Sequence, residues 1–379
     1  MTDTAFSKGT FVGRVWRPDL GGPSLVTIRD GALFDITSKT TPTMCDLLEL
    51  SDPVAHLRSV SGDRLASLED CLARKADAST LHLIAPSDLQ AVKACGVTFA
   101  RSMIERVIEE RAAGDASRAE AIRSRVTAVI GDSLRNLKPG SPEAARVKAA
   151  LQEEGVWSQY LEVGIGPDAE VFTKAQVLSA VGPGADVGLH PASHWNNPEP
   201  EIVLAVSSGG QVKGATLGND VNLRDIEGRS ALLLGKAKDN NASCAIGPFI
   251  RLFDETYAID DVRKAELTLF VEGEDGYRLT GRSSMAEISR DPLDLVAQTI
   301  GPHHQYPDGL MLFMGTLFAP VEDRDEPGQG FTHKLGDVVT IANADLGRLT
   351  NTVRLSTDCA PWSFGAAALM RNLAGRGLL

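Results

Sequence analysis

The stretch from residue 194 to 220 constrains the fold most. Two apolar, strand-like runs, Glu201–Ser207 and Val212–Leu217, flank Gly209-Gly210. Two glycines between such runs signal a hairpin, because tight hairpin turns use positive φ. With those glycines as the loop, Glu199 lies opposite Asp220. Side chains two apart on a strand share a face, so Glu199 and Glu201 project together. Asp220 joins them, since directly opposed Cβ atoms are about 4.5–5.5 Å apart. A one-residue slip would turn Asp220 to the other face. Three converging carboxylates repel unless a cation lies among them. An all-oxygen anionic set suits a hard cation, Mg²⁺ first, then Mn²⁺ or Ca²⁺. Three protein ligands leave coordination positions open for a chelating substrate. A solvated acidic strand edge would carry the same residues. Spacing alone leaves both readings open.

The rest of the composition narrows the class. A chain of 379 residues can bury a sizeable core. Asp and Glu number 50 against 38 Lys and Arg, a formal charge of −12. That excess opposes binding to nucleic acid or to anionic membranes. With only 12 Phe, 4 Trp and 4 Tyr, a base-stacking surface is also disfavoured. Cys45, Cys71, Cys95, Cys244 and Cys359 are dispersed and lack C-x-x-C spacing, which predicts reduced thiols in a cytoplasmic protein. No secretory signal pattern and no apolar run of membrane-spanning length occurs.

Along the chain, residues 1 to about 85 read as short strands and turns, including Thr10–Trp16, Ser24–Arg29 and Thr80–Ile84. Ser87 with Gln90 resembles a capping box. Val92, Phe99, Met103 and Val107 then form an apolar stripe, predicting a helix from Ser87 to about Ala113 that Gly114 ends. Residues 116–132 and 142–154 read as two further helices, and the charged face of this region reads as solvated surface. Beyond about 156, strand patterns dominate, with one helix, Asp291–Ile300, capped by Asp291. The expectation is an α+β chain: an N-terminal α+β domain at 1–156 and a catalytic β-rich domain at 157–379.

Several motifs carry little. Gly164-Ile-Gly166-Pro-Asp-Ala169 matches a dinucleotide pattern after a possible strand, Tyr160–Val163. Pro167 has no N–H to offer a phosphate, and the chain lacks the strand–helix alternation of a doubly wound fold. His190 and His194 are four apart, but Pro191 between them argues against a helical metal pair. His303-His304 and Cys244 lack partners at ligand spacing.

Several segments in order resemble the fumarylacetoacetate hydrolase superfamily. They are Glu199-Pro-Glu201, then Gly218-Asn-Asp220-Val-Asn-Leu-Arg224-Asp225, Lys238 before Ile246-Gly247-Pro248, and Gly315-Thr316. The closing stretches Leu335-Gly336-Asp337-Val338 and Leu346 to Val353 extend the match over roughly 160–355. The resemblance implies a mixed β-sandwich-like roll, a divalent metal on Glu199, Glu201 and Asp220, and a homodimer or higher homo-oligomer. Asn241 stands where the hydrolases carry Asp, Glu170 precedes the ligands, and the helical region is long. These features resemble the 2-keto-3-deoxy-pentonate (xylonate or arabinonate) dehydratases.

That resemblance implies dehydration of a 2-keto-3-deoxy sugar acid to 2-oxoglutarate semialdehyde. Metal chelation by the 2-keto acid would polarise the C2 carbonyl and make a C3 proton removable through a metal-stabilised enolate. Lys238 is expected either as the base or as a cation beside the enolate, and Glu170 as acid or base for loss of the C4 hydroxyl. Thr316 fits a position that binds the substrate carboxylate, and Ser243 and Ser284 are candidate pocket residues. Two rivals remain: a C–C hydrolase of an acylpyruvate or other 2,4-diketo acid, using His190 or His194 to activate water, and a non-catalytic keto-acid binder.

Overall fold

The computed structural model describes residues 4–130, 134, 137–316, 318, 320, 322–325 and 330–379. Among them, sixteen strands form two mixed sheets, an α+β architecture. The larger sheet runs Asp63–Ser67, Ala32–Asp35, Gly22–Arg29, Phe11–Arg17, Cys244–Leu252, Val212–Asp220, Pro200–Val206, Leu310–Phe313, Ala91–Gly96 and Glu170–Ala175. His82–Ile84 also pairs with Phe11–Arg17. The smaller sheet runs Arg278–Ser284, Glu266–Glu272, Val338–Asn343, Gly347–Leu355 and Asp186–Leu189.

The two sheets share one core. Ile202, Leu204 and Leu217 from the larger pack in a single cluster with Leu267, Leu269, Val339 and Ile341 from the smaller. Strand Glu266–Glu272 alternates apolar-in and polar-out, as one buried face requires. Strand Pro200–Val206 is buried throughout, because Val203 and Ala205 face a second apolar cluster on its other side. This explains the unbroken apolar run after Glu201. The expected division at residue 156 does not coincide with a break in this sheet. Phe11–Arg17 pairs with Cys244–Leu252, and Ala91–Gly96 lies between Leu310–Phe313 and Glu170–Ala175.

The expected helix from Ser87 to Ala113 is a strand, Ala91–Gly96, followed by a helix, Ala100–Ala112. Pairing on both edges overrides local preference here, and burial alternates along the strand at Val92 and Ala94. Ser87 and Gln90 cap no helix of their own: the Gln90 amide oxygen accepts from Asp88 N–H, and the Asp88 carboxylate accepts from Met44 and Cys45 N–H. Ala113 is left-handed and Gly114 follows at φ +75°, where a Cβ would sit 2.3 Å from the Asp225 carbonyl oxygen. Only glycine tolerates both demands.

Helices Ala116–Ile130 and Pro142–Glu153 match expectation, except that residues 131 and 132 lie outside the described set. Tyr160–Val163 belongs to a helix, Gln159–Ile165, rather than a strand; Ser158 caps it, and Tyr160, Leu161 and Ile165 pack on Met103, Val107 and Ile108. The Gly164–Ala169 segment leaves from that helix's C-terminal end, where carbonyls rather than N–H groups are free. Arg290 gathers them, donating to the carbonyls of Val163, Gly166, Pro167 and Asp168 at 2.7–3.3 Å.

Candidate active site

The acidic hairpin has the expected register by a different route. Its loop is Ser207–Gln211, closed by Ser207 N–H to the Gln211 carbonyl at 2.9 Å, with Gly210 at φ +78°. An irregularity between Val212 and Gly214 then shifts the pairing by one, so Gly218 faces Glu201 and Asn219 faces Pro200. Asp220 N–H donates to the Glu199 carbonyl at 3.0 Å. One carboxylate oxygen from each of Glu199, Glu201 and Asp220 lies within 4.8 Å of the others, and all three residues are buried. This buried all-oxygen donor set fits a hard divalent cation; it is not a solvated strand edge.

Cationic side chains border two of the three acids. Lys238, ending the short helix Leu234–Lys238, places Nζ 2.6 Å from Glu199 Oε2 and 3.1 Å from Asp220 Oδ2. Lys174 places Nζ 2.8 Å from Asp220 Oδ1 and donates to the carbonyls of Lys238 and Val221 at 2.6 and 3.2 Å. Arg106 Nη2 lies 2.6 Å from Glu199 Oε1. Glu201 instead accepts a backbone N–H, from Gly315 at 2.6 Å. Gly315 holds φ +91°, and a Cβ there would lie 2.0 Å from Thr98 Oγ1.

These surroundings set the proton affinities. Burial and the charges of Asp220 and Glu199 raise the Glu201 carboxyl well above the usual range, against the Gly315 bond. Asp220 moves down: its burial is outweighed by Lys174 and Lys238. Lys238 moves up, because Asp220 and Glu199 more than offset its burial, so its ammonium is strongly held. Glu170 opens the strand Glu170–Ala175; burial, then the charge of Glu227, raises its carboxyl to about 7.

The three acids floor a cleft also lined by Cys95, Gly96, Glu170, Phe172, Lys238 and Thr316, with Ser102, Glu105, Arg106 and Glu109 on its helical wall. Strand alternation directs Glu170 and Phe172 to one side, and an irregularity between Thr173 and Ala175 sits at Lys174. Gly96 faces Glu170 across the sheet, and a Cβ on Gly96 would lie 1.9 Å from Glu170 Oε2.

A description of the fumarylacetoacetate (FAA) hydrolase C-terminal family matches residues 162–354. The chain belongs to that family. A relative from Haloferax volcanii, named a probable 2-keto-3-deoxyxylonate dehydratase, is 27% identical over 299 residues, 79% of this chain and 98% of its own. A 2-dehydro-3-deoxy-D-arabinonate dehydratase from Saccharolobus solfataricus is 29% identical over 185 residues, 49% of this chain and 58% of its own. The expected lyase class agrees with both names. A solved 2-keto-3-deoxy-D-arabinonate dehydratase, complexed with magnesium and 2,5-dioxopentanoate, superposes with a TM-score of 0.64 at 20% identity, covering 91% of this chain and 99% of that one. At that identity the likeness is one of fold.

Glu170, Lys238, Thr316 and the acidic triad therefore meet in one cleft. Two candidates do not line it. The Ser243 hydroxyl donates to the carbonyls of Lys238 and Asn240 at 2.7 and 2.9 Å, bracing the turn after Lys238. Ser284 lies on the smaller sheet, bonded to Glu266 at 2.5 Å. Its strand position placed it near the family motifs in sequence but on the other sheet in space. Neither His190 nor His194 lines the cleft. No helix among the described residues is long and apolar enough to cross a membrane.

Sequence reasoning missed Lys174, Arg106, Glu109 and Glu227. Lys174 is even-spaced from Glu170 on one strand. Ser102, Glu105, Arg106 and Glu109 recur at helical spacing as regularly as the apolar stripe beside them. That polar stripe is not the expected solvated face: Glu109 is buried, and Arg106 is 12% exposed.

Proposed function

We propose that the chain dehydrates a 2-keto-3-deoxy sugar acid, 2-keto-3-deoxy-D-xylonate or its D-arabinonate counterpart, to 2-oxoglutarate semialdehyde. The observation that carries this reading is Glu170, a carboxyl raised to about 7 in the same cleft as the acidic triad and Lys238. Mg²⁺ on Glu199, Glu201 and Asp220 would supply Lewis acidity to the substrate's C2 carbonyl. A proton affinity near neutrality lets one carboxyl serve both halves of the elimination. Glu170 takes a C3 proton as carboxylate and returns it to the C4 oxygen, which leaves as water. Loss of water leaves 5-hydroxy-2-oxopent-3-enoate. Removal of a C5 proton with protonation at C3 gives the C4–C5 enol, which takes a proton at C4 to become the C5 aldehyde, so the conversion is redox-neutral and no redox cofactor is required.

Lys238, held as ammonium by Glu199 and Asp220, acts in this reading as a fixed positive charge beside the developing enolate rather than as the base. Thr316 lines the cleft with its hydroxyl donating to the Phe318 carbonyl at 3.0 Å; in this reading the hydroxyl turns its hydrogen from that carbonyl to the substrate carboxylate, an acceptor. Hydrolysis of an acylpyruvate is the weaker reading, because neither histidine proposed to activate water reaches the cleft. We propose a homodimer or higher homo-oligomer on family resemblance, to be measured by light scattering.

The test is direct. The purified protein is incubated with Mg²⁺ and 2-keto-3-deoxy-D-xylonate or D-arabinonate, and semialdehyde formation is followed. A parallel reaction with an acylpyruvate is assayed for pyruvate. Semialdehyde formation supports the dehydratase. Turnover of the acylpyruvate alone overturns it in favour of the hydrolase, and turnover of neither favours a keto-acid binder.

A further inference from the structure

The buried arginine on the cleft's helical wall does more than neutralise charge. Arg106 Nη1 lies 2.7 Å from Glu109 Oε2 and 2.7 Å from Glu227 Oε2, whereas Nη2 lies 2.6 Å from Glu199 Oε1. A guanidinium is a rigid planar fork, so two anchors on one nitrogen fix the direction of the other. The anchors are themselves fixed. Glu109 Oε1 meets Arg224 Nε at 3.1 Å, and Arg224 donates to the Pro320 carbonyl at 2.9 Å and lies over the Trp195 ring. A continuous chain of charge-assisted contacts thus runs from the body of the fold to one acid of the triad.

We propose that Arg106 is a positioning residue for Glu199, selecting which of its oxygens faces the cation. By holding Oε1 it leaves the cation to Oε2, which accepts from Lys238 Nζ at 2.6 Å and keeps a second lone pair. The same contact seats the helix Ala100–Ala112 over the cleft, where Ser102 and Glu105 form the wall opposite the triad. This proposal rests on the divalent-cation reading of Glu199, Glu201 and Asp220. Groups that orient a metal ligand contribute about 10–100-fold to metal affinity.

Charge and positioning act in opposite senses, which makes the role separable. As a nearby cation, Arg106 repels a divalent ion, so deleting its charge alone would tighten binding. Arg106→Lys keeps the charge and removes the fork. Mg²⁺ affinity is measured calorimetrically on substrate-free protein, beside a thermal melt in EDTA. We expect Arg106→Lys to weaken Mg²⁺ binding at least tenfold while kcat at saturating Mg²⁺ stays within about threefold of the parent. Arg111→Ala, an exposed position on the same helix, serves as control and leaves affinity unchanged.

Parent-like Mg²⁺ affinity in Arg106→Lys overturns the proposal, and so does a kcat loss that Mg²⁺ does not restore. Should Arg106→Lys fail to fold, Glu227→Asp decides, because it keeps the charge and withdraws one anchor of Nη1; unchanged affinity there overturns the proposal too. A parent protein that binds no Mg²⁺ at all removes the metal reading itself, and the proposal with it.

Discussion

Gly96→Ala isolates Glu170 without touching it. Gly96 sits on the strand beside Glu170, and its φ is one that alanine adopts freely. An added Cβ would lie 1.9 Å from Glu170 Oε2 and 2.7 Å from its Cδ, where real contacts do not fall below about 3 Å. The obstruction is the far end of a flexible side chain, so the carboxyl turns aside while the backbone stays. Rotating one side chain costs about 1 kcal/mol, offset in part by the helix- and strand-independent gain of about 0.4–1 kcal/mol when glycine becomes alanine. Global stability therefore changes by about 1 kcal/mol or less. Proton transfer by a positioned carboxyl contributes about 10²–10⁴ in rate, so kcat falls by at least about 10².

Semialdehyde formation at saturating Mg²⁺, urea denaturation and Mg²⁺ titration measure the three quantities on one preparation. Loss of kcat with unchanged folding and Mg²⁺ affinity is expected. A Gly96→Ala enzyme with the parent kcat would refute the assignment of Glu170 to proton transfer, because its carboxyl cannot keep its position beside that methyl group.

Two further outcomes follow from the cleft. With Glu170 raised to about 7 and required as carboxylate, kcat/KM falls tenfold per pH unit below about 7 and levels off above it; Glu170→Gln removes that limb along with most of the rate, and a pH profile of the parent that falls above 7 instead would make Glu170 the initial acid. Lys238→Ala lowers kcat by about 10²–10⁴ while Mg²⁺ binding persists, and a near-normal rate in a direct assay would remove Lys238 from the chemistry.

The readable parts of this fold were those fixed by neighbours in sequence. The Asp291 cap and the helices Ala116–Ile130 and Pro142–Glu153 all depend on contacts a few residues apart. The triad was legible because two acids on one strand and one across a hairpin are related by local geometry, although the true loop is longer and a bulge restores the pairing. Residues 87–99 were illegible because their conformation is decided by partners at Leu310–Phe313 and Glu170–Ala175. Arg106 was hidden for the same reason. A periodic polar stripe looks alike whether it meets water or the carboxylates of Glu199 and Glu227, which lie about a hundred residues onward.

The unequal surroundings of the three acids predict opposite stability effects from equivalent substitutions. Glu199 is matched on both oxygens, by Arg106 and by Lys238, so Glu199→Gln leaves two buried cations short of a counter-charge. Breaking buried pairs in this way costs about 3–5 kcal/mol. Glu201 is buried beside two other carboxylates with a backbone N–H as its bonded donor, and burial and those charges both oppose its ionised form. Glu201→Gln keeps an oxygen for Gly315 N–H and removes the cost of protonating this raised carboxyl on folding, so at neutral pH it stabilises the metal-free protein by about 1–2 kcal/mol. Both variants lose Mg²⁺ binding and activity. Urea denaturation in EDTA reads the sign of each change. Two shifts of the same sign would show that the acids are equivalent and that Glu201 carries no stored electrostatic cost. Opposite signs would mark Glu201 as the ligand retained for function at the expense of stability, since no other role on this floor calls for a buried carboxylate with so little to balance it.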